Sequence, residues 1–214
     1  MNKDWVPYVV QQGDHLEKIA FRSGGDADQI WAHEKNAELA RKRKSPHVLY
    51  PGDILHVPPE PKPGLRISAG TVNRYKARIP TVQLAITIGS DDNRYANQPF
   101  EIHGASDGEA PIQGTSGVNG EVEAQLPVWV REVTVRLPQV GLLVPVRIGD
   151  LDPVDEHSGG VQRLRNLGYL SREGHVDSEA VRAALLRFQH HRGLKLTGEF
   201  DQPTIEALQR DHGA

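Results

Sequence analysis

The fold of the N-terminal part of this 214-residue chain is decided by residues 8–20, which read Tyr8-Val9-Val10-Gln11-Gln12-Gly13-Asp14-His15-Leu16-Glu17-Lys18-Ile19-Ala20. Residues 8–10 have high strand propensity, and a Gly-Asp pair then marks a turn. Apolar residues recur afterwards with helical spacing at Leu16, Ile19 and Ala20. The stretch therefore predicts a strand that turns into a helix over about residues 14–23, with Asp14 as its N-terminal cap.

The following residues predict a second helix and a closing strand. Gly24-Gly25 ends the first helix, and the second starts near Asp26 and contains Ile30, Trp31 and Leu39. The closing strand lies in residues 49–58, which read LYPGDILHVP. This order of elements, with these two segments, resembles a LysM domain, a βααβ module that binds N-acetylglucosamine in peptidoglycan and chitin.

The LysM resemblance implies a shallow sugar groove between the loop after the first strand and the loop before the second. Backbone amides and carbonyls supply most sugar contacts in such grooves. His15 stands where the family usually has Thr or Ser, and the basic segment between Asn36 and Leu49 is longer than typical. Asn36 resembles the family asparagine that satisfies backbone groups in the loop after the second helix. The residues expected to line the groove are Gly13, Asp14, His15, Leu16, Leu49, Tyr50, Pro51 and Gly52.

Composition favours several small domains over one large core. Hydrophobic residues make up 37%, and there are 21 glycines and 15 prolines. The formal net charge is only -3, so we expect no nucleic-acid partner. The main basic run, residues 41–44, is interpreted as a solvated helix face or loop.

Compartment and covalent chemistry are also constrained by the sequence. The absence of cysteine excludes disulfides, thiolate zinc sites and cysteine nucleophiles. No apolar run reaches the roughly 18 residues of a membrane span. The first seven residues lack the apolar region of a secretory signal. We therefore expect synthesis in the cytoplasm and delivery to the periplasm or cell wall by a non-Sec route.

Two turn-rich stretches divide the chain into three domains. Residues 58–64 are rich in proline, and residues 150–160 are polar and rich in turn formers. The predicted layout is a LysM-like domain (1–59), a linker (60–65), a middle domain (66–152), a second linker (153–160) and a C-terminal domain (161–214).

The middle domain is predicted to be all-β. Apolar and polar residues alternate in residues 82–88, 100–104 and 133–137. Shorter strand candidates lie at 111–115, 120–126 and 142–148. About seven short strands at this spacing predict a β-sandwich of the prealbumin or immunoglobulin type. Residues 114–122 resemble the Gly-Thr hairpin of prealbumin-like or carboxypeptidase-regulatory-like sandwiches, which commonly serve as spacers.

The C-terminal domain is predicted to be a three-helix bundle. Its first helix follows Val161, Leu164 and Leu167, and its second carries an apolar stripe over residues 181–188. The expected helix ends and caps are Gly168, Asp177, Gly193 and Asp201.

This last domain resembles the peptidoglycan-binding domain 1 family, whose three-helix modules are attached to many wall hydrolases. The resemblance is carried by Leu-Gly-Tyr at 167–169, Phe-Gln at 188–189 and Gly-x-x-Asp-x-x-Thr at 198–204. The turn at 171–179 departs from the Asp-Gly-x-Phe-Gly-x-x-Thr pattern of the family, so ligand contacts from that turn are not carried over. The matching apolar residues are interpreted as core.

Neither the histidines nor the carboxylates form a recognisable catalytic pattern. The sequence contains no His-Glu-x-x-His, Ser-x-x-Lys or Gly-x-Ser-x-Gly motif. His190 and His191 are adjacent and point to different sides of a helix. The pair Asp91-Asp92 lies in a turn rather than across a cleft. We therefore predict a non-catalytic protein without a metal site or cofactor.

Taken together, the sequence predicts a multidomain α+β protein that binds bacterial peptidoglycan. The order of its parts and the junction at 148–153 resemble accessory proteins of type VI secretion systems and other contractile injection machines, whose spike proteins would be further partners. An alternative is a structural spike or tail adaptor whose LysM-like domain contacts protein rather than glycan. A weaker alternative is an immunity or adaptor protein that escorts a wall hydrolase.

Overall fold

A computed structural model of the protein describes residues 4–43, 45–59, 69–72, 79–90, 93–106, 108, 110–171 and 176–212. Within these ranges the chain is a mixed α+β protein with antiparallel sheets. Its buried apolar side chains form three separate clusters, which define an N-terminal, a middle and a C-terminal module. The predicted linker 60–65 lies outside the described residues.

None of the helices in the described ranges has the length and apolar character that a membrane crossing requires.

The N-terminal module joins its first and last strands and packs helices against them. Strand β1 (Val6–Val9) pairs antiparallel with β2 (Ile54–Val57), and Tyr8 lies opposite Leu55. The elements between the strands are α1 (Leu16–Ser23), α2 (Ala27–Ala32), a 3-10 helix (Glu34–Asn36) and α3 (Ala37–Arg43). The fully or almost fully buried core side chains are Val10, Leu16, Ile19, Ala20, Ile30, Leu39, Leu49, Leu55 and Val57.

Helix α1 is capped by a residue other than the predicted one. His15, not Asp14, occupies the N-cap, and its Nδ1 accepts the backbone N–H of Lys18 at 3.4 Å. The carboxylate of Asp14 is bonded elsewhere and is not available to the helix. The predicted end of the helix is confirmed, because Gly24 has the left-handed φ of +64° that glycine adopts without strain.

The predicted second helix is divided into two. Asp26 caps α2 as predicted, and its carboxylate accepts the N–H of Gln29 at 2.9 Å. The backbone of His33 is extended (ψ 138°), so α2 ends at Ala32. Leu39 therefore belongs to α3 rather than to the same helix as Ile30.

Asn36, at the end of the 3-10 helix, completes the outer edge of β2. Its Oδ1 accepts the N–H of His56 at 2.7 Å, and its Nδ2 donates to the carbonyl of His56 at 2.8 Å. The same Nδ2 donates to the carbonyl of Ile30 at 2.7 Å. The side-chain amide thus pairs with His56 as the backbone of a third strand would. It satisfies backbone groups, as predicted, but those of a helix and a strand rather than of a loop.

The middle module is built from antiparallel strands. All six predicted strand segments are strands, with ends that shift by one or two residues. The strands are β3 (Thr81–Thr87), β4 (Gly89–Ser90), β5 (Asn93–Arg94), β6 (Pro99–His103), β7 (Ile112–Thr115), β8 (Glu121–Pro127), β9 (Glu132–Leu137) and β10 (Leu142–Arg147).

The strands of the middle module form two main sheets that share one core. One sheet has the order β10-β9-β6-β7, and the other pairs β3 with β8; β4 and β5 form a short hairpin. Leu84 and Leu126 from the two-stranded sheet join Ile102, Val133 and Val135 from the four-stranded sheet in one buried cluster. Side chains on alternate positions of each strand therefore meet between the sheets.

The C-terminal module consists of α4 (His157–Asn166), α5 (Ser178–His191) and α6 (Gln202–His212) around one apolar cluster. Helix α4 begins four residues before the predicted domain boundary, inside the stretch 153–160 that we had expected to be a linker. The predicted caps are confirmed. Asp177 accepts the N–H of Ala180 at 2.7 Å, and Asp201 accepts that of Thr204 at 3.0 Å. The departing turn at 171–179 falls largely on residues 172–175, which lie outside the described residues.

A buried polar side chain connects the end of α5 to the start of α6. Gln189 is fully buried, and its Nε2 contacts Thr197 Oγ1 at 2.8 Å, Thr204 Oγ1 at 2.9 Å and the carbonyl of Glu199 at 3.2 Å. Its Oε1 accepts the N–H of Gly198 at 3.0 Å. The Phe-Gln and Gly-x-x-Asp-x-x-Thr elements thus hold the fold together.

Candidate functional site

The two loops predicted to form the groove lie side by side. Because β1 and β2 are antiparallel, the loop after β1 and the loop before β2 emerge at the same end of their sheet. Two backbone bonds connect them, from Val10 N–H to the Asp53 carbonyl and from Gly52 N–H to the Val10 carbonyl, each 2.9 Å long. The structure therefore brings residues 13–16 and 49–52 to one place.

Asp14 is the organising residue of the first loop. Its side chain is almost fully buried, and it accepts the hydroxyl of Tyr8 at 2.6 Å and the N–H of Gln11 at 3.1 Å. The guanidinium of Arg22 reaches the other carboxylate oxygen at 3.2 Å. Burial and the bond to Asp14 raise the pKa of the Tyr8 hydroxyl. Asp14 therefore fixes the conformation of the loop through these bonds, and its buried carboxylate is not presented to a ligand.

Lys18 lies beneath the same loop. Its ammonium donates to the carbonyl of Gly13 at 2.6 Å and lies 3.9 Å from Asp14 Oδ1, with almost no exposure to solvent. Burial lowers the pKa of Lys18, and the charge of Arg131 in the middle module lowers it further. Two of the charges around the first loop, those of Asp14 and Lys18, thus neutralise each other inside the protein.

Glu17, in the first turn of α1, lies between two histidines. Its two carboxylate oxygens lie 3.1 Å from Nδ1 of His15 and 3.0 Å from Nδ1 of His47. Burial acts to raise the pKa of Glu17, but its contacts with His15 and His47 lower it overall. His15 therefore serves the fold as the helix cap, which explains how it replaces the usual Thr or Ser.

The second loop provides the open side of the site. Leu49 is buried in the core, whereas Tyr50 and Pro51 are half-buried and Gly52 is exposed. The backbone of Gly52 has φ +94°, and a Cβ placed on it would meet no atom within 4 Å. Asp53 holds the turn by accepting the N–H of Tyr50 at 2.9 Å. A ligand can therefore approach this loop from solvent.

Arg43 connects the second loop to the distant end of the chain. Its fully buried guanidinium makes a bidentate pair with Asp53, at 2.7 and 2.8 Å, and a further bond to Glu156 at 2.9 Å. These carboxylates raise the pKa of Arg43 against the opposing effect of burial. The prediction that the whole basic run 41–44 is solvated is therefore wrong for Arg43; Arg41 and Lys42 are exposed.

The first loop is covered by the junction between the middle and C-terminal modules. The side chain of Gln12 donates to the carbonyl of Asp150 at 3.1 Å. A Cβ placed on Gly149 would lie 3.0 Å from the Gly13 carbonyl oxygen. A further contact between the N-terminal and middle modules pairs the rings of Phe21 and Trp129, whose centres lie 6.1 Å apart. Residues 13–16 are all buried as a result of this cover and of packing within the module.

Comparison with known families agrees with this architecture. Residues 8–58 match the LysM domain, and residues 160–208 match the family described as "Putative peptidoglycan binding domain". The two end modules match known binding domains. Both matches fall where the sequence predicted them, and neither family is catalytic. No curated protein and no solved structure matches the chain.

In the described part of the chain, no three His, Asp or Glu side chains are grouped so that they could hold a metal ion.

Sequence reasoning missed the residues outside the LysM segment that contact its groove. Gly149, Asp150 and Glu156 belong to a stretch that we interpreted as a domain boundary and, at 148–153, as a resemblance to accessory proteins of injection machines, but not as a contact of the N-terminal module. Their partners, Gln12 and Arg43, lie more than 100 positions away along the chain. The Ile-Gly-Asp-Leu-Asp-Pro sequence at 148–153 was the available signal, since its glycine allows a close backbone approach.

Proposed function

We propose that this protein is a non-catalytic peptidoglycan-binding protein that contacts the wall through both end modules. The observation that carries the proposal is the pair of matches to wall-type binding families at opposite ends of one chain. The N-terminal site would be the groove between the loops at 13–16 and 49–52. Two weak sites on one chain gain apparent affinity because binding of the first raises the effective concentration of the second.

The groove has a geometry that suits a flat polar ligand such as a sugar chain. One wall is a turn that faces solvent at Gly52, and the other is a backbone loop whose carboxylate, that of Asp14, is paired inside the protein with Lys18 and Arg22. Neutral walls disfavour recognition by charge and favour recognition by hydrogen bonds. N-acetylglucosamine-containing glycan fits that description, and chitooligosaccharides are suitable probes.

The test is co-sedimentation of the full-length protein with purified sacculi, with chitooligosaccharides or muropeptides as competitors. We expect the protein to pellet and chitooligosaccharide to release part of it. Gly52→Leu should weaken pelleting because it places an apolar side chain at the open rim of the groove.

Gly141→Leu is the matched control, since Gly141 also has a positive φ (+68°) and open surroundings but lies in the middle module. Both variants place leucine at an exposed glycine of positive φ, so only loss of binding specific to Gly52→Leu supports the groove. Protein that stays wholly in the supernatant would refute a wall-binding role.

A second candidate function is that of an adaptor whose groove contacts protein. The observation that favours it is that the first groove loop already contacts polypeptide, namely the chain's own residues 149 and 150. Sacculus binding that chitooligosaccharides do not reduce, together with retention on an immobilised spike protein, would favour this function.

We further propose that the protein is an accessory of a contractile injection machine and reaches the periplasm or wall with the secreted particle. The module order and the junction sequence at 148–153 support this proposal. We also propose that the middle module, whose two main sheets share one core, is a β-sandwich spacer and that the three C-terminal helices form a bundle. Absence of the protein from purified injection particles would contradict the assignment.

A further inference from the structure

The junction at residues 149–156 makes a close backbone contact with the first groove loop. A Cβ on Gly149 would lie 3.0 Å from the Gly13 carbonyl oxygen and 3.3 Å from Cδ2 of His15. A Cβ on Gly13 would lie 3.3 Å from Oδ1 of Asp150. Both glycines also have positive φ, +79° and +80°. The two backbones therefore fit against each other because neither residue has a side chain.

The same junction is fixed to the C-terminal module. The carbonyl of Asp150 accepts Gln162 Nε2 at 3.1 Å in addition to the side chain of Gln12. The N–H of Asp152 donates to Gln162 Oε1 at 2.7 Å, and the buried guanidinium of Arg163 donates to the Asp152 carbonyl at 2.8 Å. The carbonyl of Asp150 thus accepts one hydrogen bond from the N-terminal module and one from the C-terminal module. Movement of the C-terminal module would therefore displace the junction from the first groove loop.

One polar atom of the first groove loop is buried and has no hydrogen-bond partner among the described residues. That atom is Nε2 of His15. This nitrogen is bonded to Cδ2, the ring atom that faces Gly149. A buried polar atom without a partner destabilises the arrangement that buries it. Removal of the junction would expose His15 Nε2 to water or to a ligand.

We propose that the junction 149–156 is an intramolecular cover of the sugar groove and that glycan binds the N-terminal module only after the cover is released. This inference rests on the proposed glycan-binding function. Among the described residues, the contacts that close the groove include the bond from Gln12, the approach of the two glycine backbones and the ion pair between Arg43 and Glu156. The closed form prevails in the free protein, so the apparent dissociation constant equals the intrinsic one divided by the small fraction of molecules that is open.

The variant that opens the cover is Gly149→Ala combined with Glu156→Gln. The alanine Cβ pushes against the Gly13 carbonyl, and the glutamine removes the charge that Arg43 contacts from the junction. Glu156 makes no side-chain capping bond to α4, so this change leaves that helix end intact. Neither residue belongs to the predicted groove lining.

The matched control is Gly141→Ala combined with Glu132→Gln. It changes another positive-φ glycine and another carboxylate that faces an arginine, Arg147, both within the middle module. Both variants place alanine at a positive-φ glycine and remove one negative charge, but only the opened variant alters contacts with the N-terminal module.

The experiment is calorimetric titration of chitohexaose into the full-length wild type, the opened variant and the control, with amide hydrogen exchange of each protein free and saturated. We expect the opened variant to bind chitohexaose about tenfold more tightly than the wild type and the control. The reason is that losing contacts equivalent to about one hydrogen bond lowers the ratio of closed to open molecules by about that factor. In the wild type, saturation should increase exchange at residues 149–156.

Equal affinity of all three proteins, or unchanged protection of 149–156 in the saturated wild type, would overturn the cover while leaving glycan binding in place. If no protein binds chitohexaose, both the cover and the N-terminal sugar site fail. Sacculus pelleting of the same proteins then decides whether wall binding through the C-terminal module survives.

Discussion

Replacement of Asn36 by alanine should remove the connection between the helices and β2 in the N-terminal module. The side chain of Asn36 is fully buried and makes three hydrogen bonds to backbone groups, two to His56 and one to Ile30. The variant leaves one N–H and two carbonyls without these partners. The carbonyl of Ile30 keeps the N–H of His33 at 3.3 Å, so the N–H and carbonyl of His56 bear most of the loss.

The expected loss can be worked out from these bonds. At about 1 kcal/mol of net stability per hydrogen bond, three bonds amount to about 3 kcal/mol. For a module of this size, a loss of that magnitude lowers the midpoint of thermal unfolding by more than about 12 °C. Such a small domain buries a modest fraction of its surface, so the variant module should be partly unfolded at 37 °C.

Tryptophan fluorescence can isolate the unfolding of this module in the full-length chain. The chain has three tryptophans, and Trp5 and Trp31 both pack against the N-terminal core. Trp129 lies in the middle module, so a Trp129→Phe background leaves only reporters of the N-terminal module. Urea unfolding in this background, with and without Asn36→Ala, gives the difference in free energy of unfolding.

Gln29→Ala is the control for this measurement. It also removes a side-chain amide from the helical part of the module, but from an exposed position in α2. We expect a change within about 0.5 kcal/mol for this variant. A loss below about 1 kcal/mol for Asn36→Ala would refute the reasoning, because it would mean that water satisfies the three backbone groups at little cost.

Three further predictions concern buried polar groups. Arg43→Met should destabilise the N-terminal module by about 3–5 kcal/mol in the same urea assay, since Asp53 would lose its buried counter-charge, whereas the exposed neighbour variant Lys42→Met should change little. Gln189→Leu should lower the stability of the C-terminal module by about 2 kcal/mol, measured by hydrogen exchange in α5 and α6, and full protection in the variant would contradict the assigned network. Burial and a nearby arginine charge lower the pKa of His212 from 6.5 to about 4. Between pH 6.5 and pH 4, His212 is therefore protonated in the unfolded chain but neutral in the folded chain. Stability of this module should therefore fall as pH drops from 6.5 to 4, and His212→Gln should flatten that dependence in thermal unfolding.

The candidate site could be located from the sequence because the pattern that defines it is local. A strand, a Gly-Asp turn and a helix follow one another within residues 8–20, and a second turn precedes the closing strand. Antiparallel pairing of the two strands then places both loops at one end of the sheet. That these loops bind glycan stays a prediction.

Local competition between neighbouring residues was harder to predict. Asp14 and His15 can both cap a helix, and sequence preference favours the aspartate. The structure places His15 at the cap because Tyr8, Gln11 and Arg22 occupy the carboxylate of Asp14. The choice depends on where a strand residue and the far end of α1 lie relative to the loop.

The sequence by itself determined the module order, most of the strands and helices of each module and most of their caps. Periodicity and capping involve residues within about four positions of one another, so these signals survive without knowledge of the fold. Only the tertiary structure decided that Arg43 is buried and that residues 149 and 150 contact the loop after β1. Those features depend on Asp150 and Glu156 meeting residues more than 100 positions away, and such contacts arise only when separately folded modules pack together.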